Sequence, residues 1–367
     1  MMSREDQRPK AKDQNPIDWK NVKRVLIVKL RSIGDTVLST PTLVALKRFV
    51  PNAQIDILLE DWVAPLLDGF DAVDNVISVG KGQAERLKTA WYLRRQKYDV
   101  AFNLHGGTTA TFFTVASRAK HRVGAASYQY SFLYNHLLSS ALDFWGTEST
   151  HSAEQQLALL GFAGVPVDDR PKSVLTVTES SARSIDDKLN KFQISNFKSQ
   201  FALMHPAAAF ATKQWPTENF VRTAEFLAKK SLQIVAIAAK HESSVLEKLT
   251  AESQVPIVTF DDLTLPEITA LASKASIFVG NDSGIAHIAA AVNTPSVVIF
   301  GSSNRNHWRP WTDAPNEIIY EEFPCQPCPG YECKEFGDPK CILSVRPEAV
   351  FNAIEHILNA GGLTPDT

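Results

Sequence analysis

The chain has 367 residues, a formal net charge of -2 and a hydrophobic content of 44%. This length favours two domains, and the composition is typical of a globular protein with a full core. No apolar run approaches the roughly 20 residues that span a bilayer, and the polar stretch 1–20 lacks the apolar segment of a secretory signal. We therefore predict a cytoplasmic protein without a nucleic-acid partner, in which residues 1–20 form a disordered lead.

Apolar, β-branched runs alternate with helical segments along the first half of the chain. Strands are predicted at 23–30, 54–59, 76–79, 99–104 and 122–124. Helices are predicted at 36–49, 85–96 and 150–160. This alternation is typical of a doubly wound parallel sheet. We assign residues 21–165 to this N-terminal domain.

The second half restarts the same alternation. Strands are predicted at 201–205, 233–238, 257–260, 276–279 and 296–300, and helices at 216–230, 242–252, 265–274 and 347–359. We assign 166–345 to a second domain, followed by a C-terminal helix and tail at 346–367. The predicted fold class is α/β, with two Rossmann-like domains that face each other across a cleft. Such sheets bind ligands at the carboxyl ends of their strands, so one domain can hold a donor and the other an acceptor.

The most informative stretch is 278–292, FVGNDSGIAHIAAAV, which is predicted to run from a buried strand through a tight turn into a helix. Asp282, Ser283 and Gly284 lie at the helix start, where free N–H groups and the helix dipole favour an anion such as a diphosphate. Asp282 is also suited to holding a sugar or ribose hydroxyl, and His287 follows just inside the helix. The alternative is an ordinary N-cap by Asp or Ser.

Asp35 follows the first strand and stands at the entrance to the first helix, next to Gly34. At this position a carboxylate can face a bound ligand and accept a proton from a hydroxyl as a general base. A helix N-cap is an equally good use of an aspartate here, and the local sequence does not decide between the two.

The loop 205–216, HPAAAFATKQWP, connects a strand to a helix through small residues that allow a ligand to approach the backbone. Thr212 offers a hydroxyl and Lys213 a mobile positive charge. Together with the Asp282 turn, Lys213 is suited to clamp a diphosphate that gains negative charge as it leaves. The alternative for this lysine is a solvated side chain on a loop.

All four cysteines lie in the Pro- and Gly-rich loop 325–341, at positions Cys325, Cys328, Cys333 and Cys341. Clustered thiols in a reducing compartment indicate a structural metal site first and two disulfides second. Free thiols held by packing are the third option, and no catalytic metal is predicted.

Four passages, taken together and in this order, resemble the ADP-heptose:lipopolysaccharide heptosyltransferase family, which has the GT-B glycosyltransferase architecture. They are 30–41 (LRSIGDTVLSTP), 213–216 (KQWP), 279–287 (VGNDSGIAH) and the cysteine-rich loop with 300–302 (FGS) before it. One departure is the run Ala207, Ala208 and Ala209, where relatives often carry Gly, Ser or Thr. This departure removes side-chain hydroxyls near the donor phosphates and leaves backbone N–H groups and Thr212 to contact them.

The resemblance implies an inverting transfer of heptose from ADP-heptose to an inner-core sugar of lipopolysaccharide. It implies Asp35 as the general base, Lys213 as the donor-phosphate lysine, and a donor-binding loop that contains Asp282, Ser283, Gly284 and His287. The acceptor is then a glycolipid at the inner-membrane surface, where the protein is expected to associate peripherally at the cytoplasmic face. No cofactor is expected in catalysis.

Other functions remain open at this point. A glycosyltransferase with another nucleotide sugar or another envelope-glycan acceptor fits the same motifs, as does a nucleotide-sugar epimerase of the same fold. A dinucleotide-dependent oxidoreductase is disfavoured because the loop 31–35 (RSIGD) lacks the G-x-G-x-x-G pattern. A non-catalytic scaffold that binds metal and a partner through its cysteine loop is the last alternative.

Overall fold

The computed structural model describes residues 16–192, 200–328 and 330–360. The chain divides into two compact units, unit 1 up to Lys172 and unit 2 from Ser173 onward. The change of unit therefore comes slightly after the boundary predicted at residue 165. No helix in these described ranges is long and apolar enough to cross a membrane.

Unit 1 is built on a six-stranded parallel sheet with the strand order β3-β2-β1-β4-β5-β6. Its strands are β1 (Arg24–Leu30), β2 (Gln54–Glu60), β3 (Asn75–Val79), β4 (Val100–Asn103), β5 (His121–Ala125) and β6 (His136–Leu138). The order reverses between β1 and β4, which pair in parallel. Such a reversal opens a crevice at the carboxyl ends of the two strands, where α/β proteins bind ligands.

The helices of unit 1 are α1 (Ile33–Val37), α2 (Thr40–Phe49), α3 (Gln83–Gln96), α4 (Thr108–Ala116), α5 (Ala141–Trp145) and α6 (Ser152–Phe162). The helix predicted at 36–49 is thus two helices. The break has a local cause, because the hydroxyls of Ser39 and Thr40 donate to the carbonyls of Thr36 and Val37 at 2.6 and 2.8 Å, which offers the backbone an alternative to regular helix.

The predicted disordered lead is too long. Residues 1–15 lie outside the described residues, but a 3-10 turn forms at Trp19–Asn21. The Trp19 indole N–H donates to the carbonyl of Ala163 at 2.8 Å, and its ring meets the Phe49 ring edge-on at 5.5 Å. Burial of this aromatic side chain anchors the start of unit 1.

Unit 2 contains a second six-stranded parallel sheet, with the order β12-β11-β10-β7-β8-β9. Its strands are β7 (Phe201–His205), β8 (Gln233–Ile237), β9 (Ile257–Phe260), β10 (Ile277–Asn281), β11 (Ser296–Ile299) and β12 (Asn316–Ile319). Here the order reverses between β7 and β10. The prediction of two Rossmann-like sheets is confirmed.

The helices of unit 2 are α7 (Glu179–Asn190), α8 (Thr217–Lys229), α9 (Ser243–Glu252), α10 (Leu265–Lys274), α11 (Gly284–Ala291), α12 (Arg305–Trp308), α13 (Lys340–Leu343) and α14 (Pro347–Ala360). Residues of α14, among them Ile354 and Ile357, are buried in the same core as Trp215 and β10. The predicted C-terminal helix therefore belongs to unit 2, while residues 361–367 of the predicted tail lie outside the described residues.

Candidate active site

In unit 1 the crevice between β1 and β4 holds Asp35, in the first turn of α1. The Lys29 ammonium, on β1, donates to Asp35 Oδ1 at 3.0 Å and to the carbonyl of Leu104 at 3.1 Å. The Ser32 hydroxyl donates to the other carboxylate oxygen at 3.1 Å. The N-cap of α1 is Ser32, so the alternative that Asp35 caps this helix is wrong, and its carboxylate is fixed by side chains instead.

The two partners of this ion pair differ in exposure. The Lys29 side chain is 4% exposed and that of Asp35 is 32% exposed. The carboxylate is therefore the solvent-accessible member of this pair. Burial raises the pKa of Asp35, but the Lys29 charge and the hydrogen bonds from Lys29 and Ser32 together lower it below its ordinary value. The carboxylate is therefore ionised at neutral pH and ready to accept a proton.

His105 lies at the end of β4, beside the same crevice. Its backbone N–H and that of Gly106 both donate to Asn103 Oδ1 at 2.9 Å, so the turn after β4 closes on a buried amide. Burial and the Lys29 charge lower the pKa of His105, which keeps its imidazole neutral at pH 7. Gly106 has φ +87°, and a Cβ there would lie 3.1 Å from the Tyr128 ring, so this tight turn requires glycine.

In unit 2 the corresponding crevice lies between β7 and β10. Asn281, at the end of β10, accepts from the backbone N–H of Trp215 at 3.1 Å. Its amide nitrogen donates to the carbonyl of Pro206 at 3.0 Å. A single fully buried amide thus ties both ends of the 205–216 loop to the turn that carries Asp282.

Lys213 and Asp282 meet directly, with Lys213 Nζ 2.7 Å from Asp282 Oδ2. The structure therefore brings together two residues that the sequence predicts to cooperate. Here the lysine is 24% exposed and the aspartate 6%, the reverse of the arrangement in unit 1. In this pair the lysine is therefore the more solvent-accessible member.

Ser283 is the N-cap of α11, but its side chain makes no capping hydrogen bond to the helix. Its hydroxyl lies 3.2 Å from His205 Nδ1 instead. Burial lowers the pKa of His205 to about 4, so this histidine is neutral at pH 7. Ser283 therefore occupies the N-cap position without capping the helix through its hydroxyl, and the positive N-terminal end of α11 is left for another partner.

His287 and Thr212 lie deeper than predicted. His287 belongs to α11, and its side chain is buried. The Thr212 hydroxyl is also buried and donates to the carbonyl of Gly330, which differs from the prediction that it faces the donor phosphates. Thr212 instead anchors the loop from behind.

The cysteine loop is attached to the back of the Lys213 loop. Gln326 Nε2 donates to the carbonyl of Gly301 at 2.6 Å. The backbone N–H of Cys328 donates to the carbonyl of Ser302 at 3.1 Å. A Cβ at Gly301 would lie 2.1 Å from the carbonyl oxygen of Thr212, so only glycine permits this contact.

All four cysteines are free thiols, and the two-disulfide alternative is wrong. Over the ranges given above, which omit Pro329 within this loop, no group of three or more His, Cys, Asp or Glu side chains is placed to hold a metal ion. Burial raises the pKa of the Cys341 thiol, which keeps it protonated at neutral pH.

Lys29 is the candidate-site residue that motif reasoning misses. It is the only charged residue inside the buried run of β1 after Arg24. A buried lysine in a strand interior is uncommon unless it is paired, and this anomaly was the available signal.

The family model described as Glycosyltransferase family 9 (heptosyltransferase) matches residues 86–337, more than half of the chain. The chain belongs to this family. It is therefore a glycosyltransferase, as the resemblance of its four passages implies.

Curated relatives of this family 9 enzyme span nearly its full length. It is 27% identical over 352 residues to lipopolysaccharide heptosyltransferase 3 of Escherichia coli K12, covering 90% of this chain and 96% of the relative. It is 25% identical over 349 residues to lipooligosaccharide heptosyltransferase 2 of Haemophilus influenzae, covering 91% and 99%.

Solved structures share the fold of the family 9 enzyme. A family 9 glycosyl transferase from Veillonella parvula superposes with a TM-score of 0.80 at 17% identity, covering 92% of this chain and 97% of the other. ADP-heptose lps heptosyltransferase II of E. coli superposes with a TM-score of 0.76 at 21% identity, covering 92% and 99%. These neighbours confirm the predicted GT-B class.

Proposed function

We propose that this enzyme transfers heptose from ADP-heptose to an inner-core sugar of lipopolysaccharide, with inversion at the anomeric carbon. Unit 2 holds the donor at the end of β10, and unit 1 presents the acceptor hydroxyl to Asp35. The names of the relatives support the donor and the acceptor class. The opposite burial of the two Lys–Asp pairs supports the division of roles and is the observation on which the mechanism depends.

Asp35 acts as the general base. As the acceptor oxygen attacks the anomeric carbon, its proton passes to a carboxylate oxygen of Asp35, and the bond from that carbon to the diphosphate oxygen breaks. Lys29 keeps the carboxylate ionised between turnovers, while Ser32 and Lys29 restrict its rotation. Positioned proton transfer of this kind contributes about 10²- to 10⁴-fold to a rate.

Lys213 acts on the leaving group. Its ammonium group lies at the surface of unit 2, beside the N-terminus of α11, where backbone N–H groups and the helix dipole also favour negative charge. The departing ADP gains negative charge on its terminal phosphate, so this cluster stabilises the transition state more than the bound donor. Asp282, the buried partner of the pair, orients Lys213.

The test is transfer by the purified protein. We expect the enzyme, given ADP-heptose and a set of defined lipopolysaccharide core acceptors, to yield a product heavier by one heptose unit on one of them, with release of ADP. ADP-glucose and UDP-N-acetylglucosamine serve as matched donors, and free ADP-heptose without acceptor tests for hydrolysis or epimerisation.

Transfer from another donor in preference to ADP-heptose would replace the donor in this proposal. A rearranged free sugar nucleotide in the absence of acceptor would favour the epimerase alternative. Retention of the donor's anomeric configuration in the product would contradict the role of Asp35 as the base in a single displacement.

A further inference from the structure

Helix α3 exposes large apolar side chains although it already has a buried face. Thr89, Ala90 and Leu93 pack into the unit 1 core. Leu87 and Trp91, one helical turn apart, are 64% and 61% exposed. Residues four apart lie on one face of a helix, so these two side chains form an apolar stripe that points away from the core.

Cations surround this stripe. The helix carries four basic residues, Arg86, Lys88, Arg94 and Arg95, against a single acidic one, Glu85. The Arg95 guanidinium lies 4.4 Å from the centre of the Trp91 ring. The outward face of α3 therefore combines exposed aromatic and aliphatic groups with a positive charge.

The neighbouring helix α4 extends the same surface. Buried residues of α3 and α4, including Ala90 and Phe113, share one core cluster, so both helices cover the same side of the sheet. Helix α4 exposes Phe112 and Val115, and exposed Arg118 and Lys120 follow it. We define the α3–α4 patch as the exposed apolar and basic residues of the two helices: Leu87, Lys88, Trp91, Tyr92, Arg94, Arg95, Phe112 and Val115.

The composition of the α3–α4 patch fits a lipid surface. Trp and Tyr are enriched at the membrane–water interface, and interfacial helices combine Trp, Phe or Leu with a set of Lys and Arg residues. Basic residues near an anionic leaflet strengthen this attraction. A second copy of this chain is a poorer partner, because a two-fold contact would bring like charges together.

The position of the patch suits an acceptor that is itself a lipid. Helices α1, α3 and α4 each follow a strand of one parallel sheet, so all three begin at the edge of the sheet where the strands' carboxyl ends and Asp35 lie. The patch lies on the adjoining face of unit 1.

We propose that the α3–α4 patch binds the surface of an anionic phospholipid bilayer and holds unit 1 at the membrane. This inference rests on the proposed function only in explaining why the enzyme needs a membrane, namely to reach a glycolipid acceptor. The binding itself requires neither donor nor acceptor.

The test is flotation of the full chain with vesicles of phosphatidylcholine, with and without phosphatidylglycerol. We expect binding to the phosphatidylglycerol vesicles, and at least a tenfold loss of partitioning in the double variant Leu87→Ser/Trp91→Ser and in Arg94→Gln/Arg95→Gln. Phe132→Ser is the matched control, because Phe132 is an exposed apolar residue of unit 1 outside the patch. It should bind as the wild type does.

Equal binding by the wild type and both patch variants, no binding to either vesicle, or binding to a polyanionic nucleic acid in place of vesicles would each overturn the proposal. Unchanged far-UV circular dichroism and melting temperature show that the variants fold. Transfer to a water-soluble core oligosaccharide should be unchanged in the patch variants. Loss of vesicle binding with intact soluble transfer thus separates this inference from the proposed function.

Discussion

The two sheets carry the same ion pair in opposite orientations. At the crevice of unit 1 the lysine of the Lys29–Asp35 pair is buried and the carboxylate is accessible. At the crevice of unit 2 the aspartate of the Lys213–Asp282 pair is buried and the ammonium is accessible. In each case the buried partner fixes the accessible one, and we propose that similar folds thereby present a base on one sheet and a phosphate-binding cation on the other.

The largest effect is expected from Asp35→Asn, which removes the accessible charge of the first pair. Turnover should fall by about 10³-fold, because a positioned general base is lost, while the dissociation constant for ADP-heptose should stay within twofold. Steady-state kinetics and donor titration measure the two quantities. Asp169→Asn is the control, since Asp169 also pairs with a basic side chain, that of Arg48 at 2.7 Å, but on the exposed surface of unit 1. An equal loss of donor binding and turnover would indicate that Asp35 is structural.

The second effect breaks the pair in unit 2. Lys213→Met should weaken ADP-heptose binding by roughly 10- to 100-fold, which is the contribution of a charge-assisted hydrogen bond. Calorimetric titration with ADP and ADP-heptose measures it. The control is Lys274→Met, because Lys274 forms a comparable pair with Asp186 at 2.9 Å elsewhere in unit 2. An unchanged donor dissociation constant would contradict the role of Lys213.

A smaller effect sharpens the comparison by removing the buried partner in unit 1. Lys29→Met leaves burial to raise the pKa of Asp35 without the opposing charge. The base is then protonated at a higher pH, so the acidic limb of the kcat profile should move to higher pH, and activity lost at neutral pH should be recovered as the pH is raised. Lys47→Met, at a surface pair with Asp74, should leave the profile in place. A uniform loss without a shift would assign Lys29 a purely structural role.

The smallest effect concerns the neutral histidine of unit 2. Because the pKa of His205 is about 4 in the folded protein and 6.5 otherwise, the unfolded chain binds more protons between these values. Stability should therefore fall as the pH drops from 6.5 towards 4, by up to about 1.4 kcal/mol per pH unit. His205→Asn should remove this slope in denaturant titrations, with little change at pH 7. An identical slope in the variant would place the titrating group elsewhere.

The sequence predicts most strands well because buried parallel strands are continuous apolar runs, such as 201–205 and 257–260, whose bounds agree with the structure. It misses the short edge strands β6 and β12 and, among the longer helices, α4 and α7. In α4 the run TTATFFTVA is rich in β-branched residues, which disfavour a helix locally, and packing on the sheet overrides that preference.

The candidate site is predicted at the level of motifs and not of contacts. Asp35, Lys213 and Asp282 are found from their positions after strands. Tertiary packing decides which member of each pair is buried. It also decides the backbone conformation at Leu30, whose φ of 47° is uncommon for a leucine. For the same reason the sequence could not show that the Thr212 hydroxyl points inward.

Gly301 has an effect that reaches beyond its own loop. Its α-carbon lies against the carbonyl of Thr212, one residue from the cation proposed to hold the donor. Any side chain at position 301 would displace Thr212 and, with it, the adjoining Lys213. We therefore expect an alanine at position 301 to alter the affinity of the proposed donor site through the placement of Lys213.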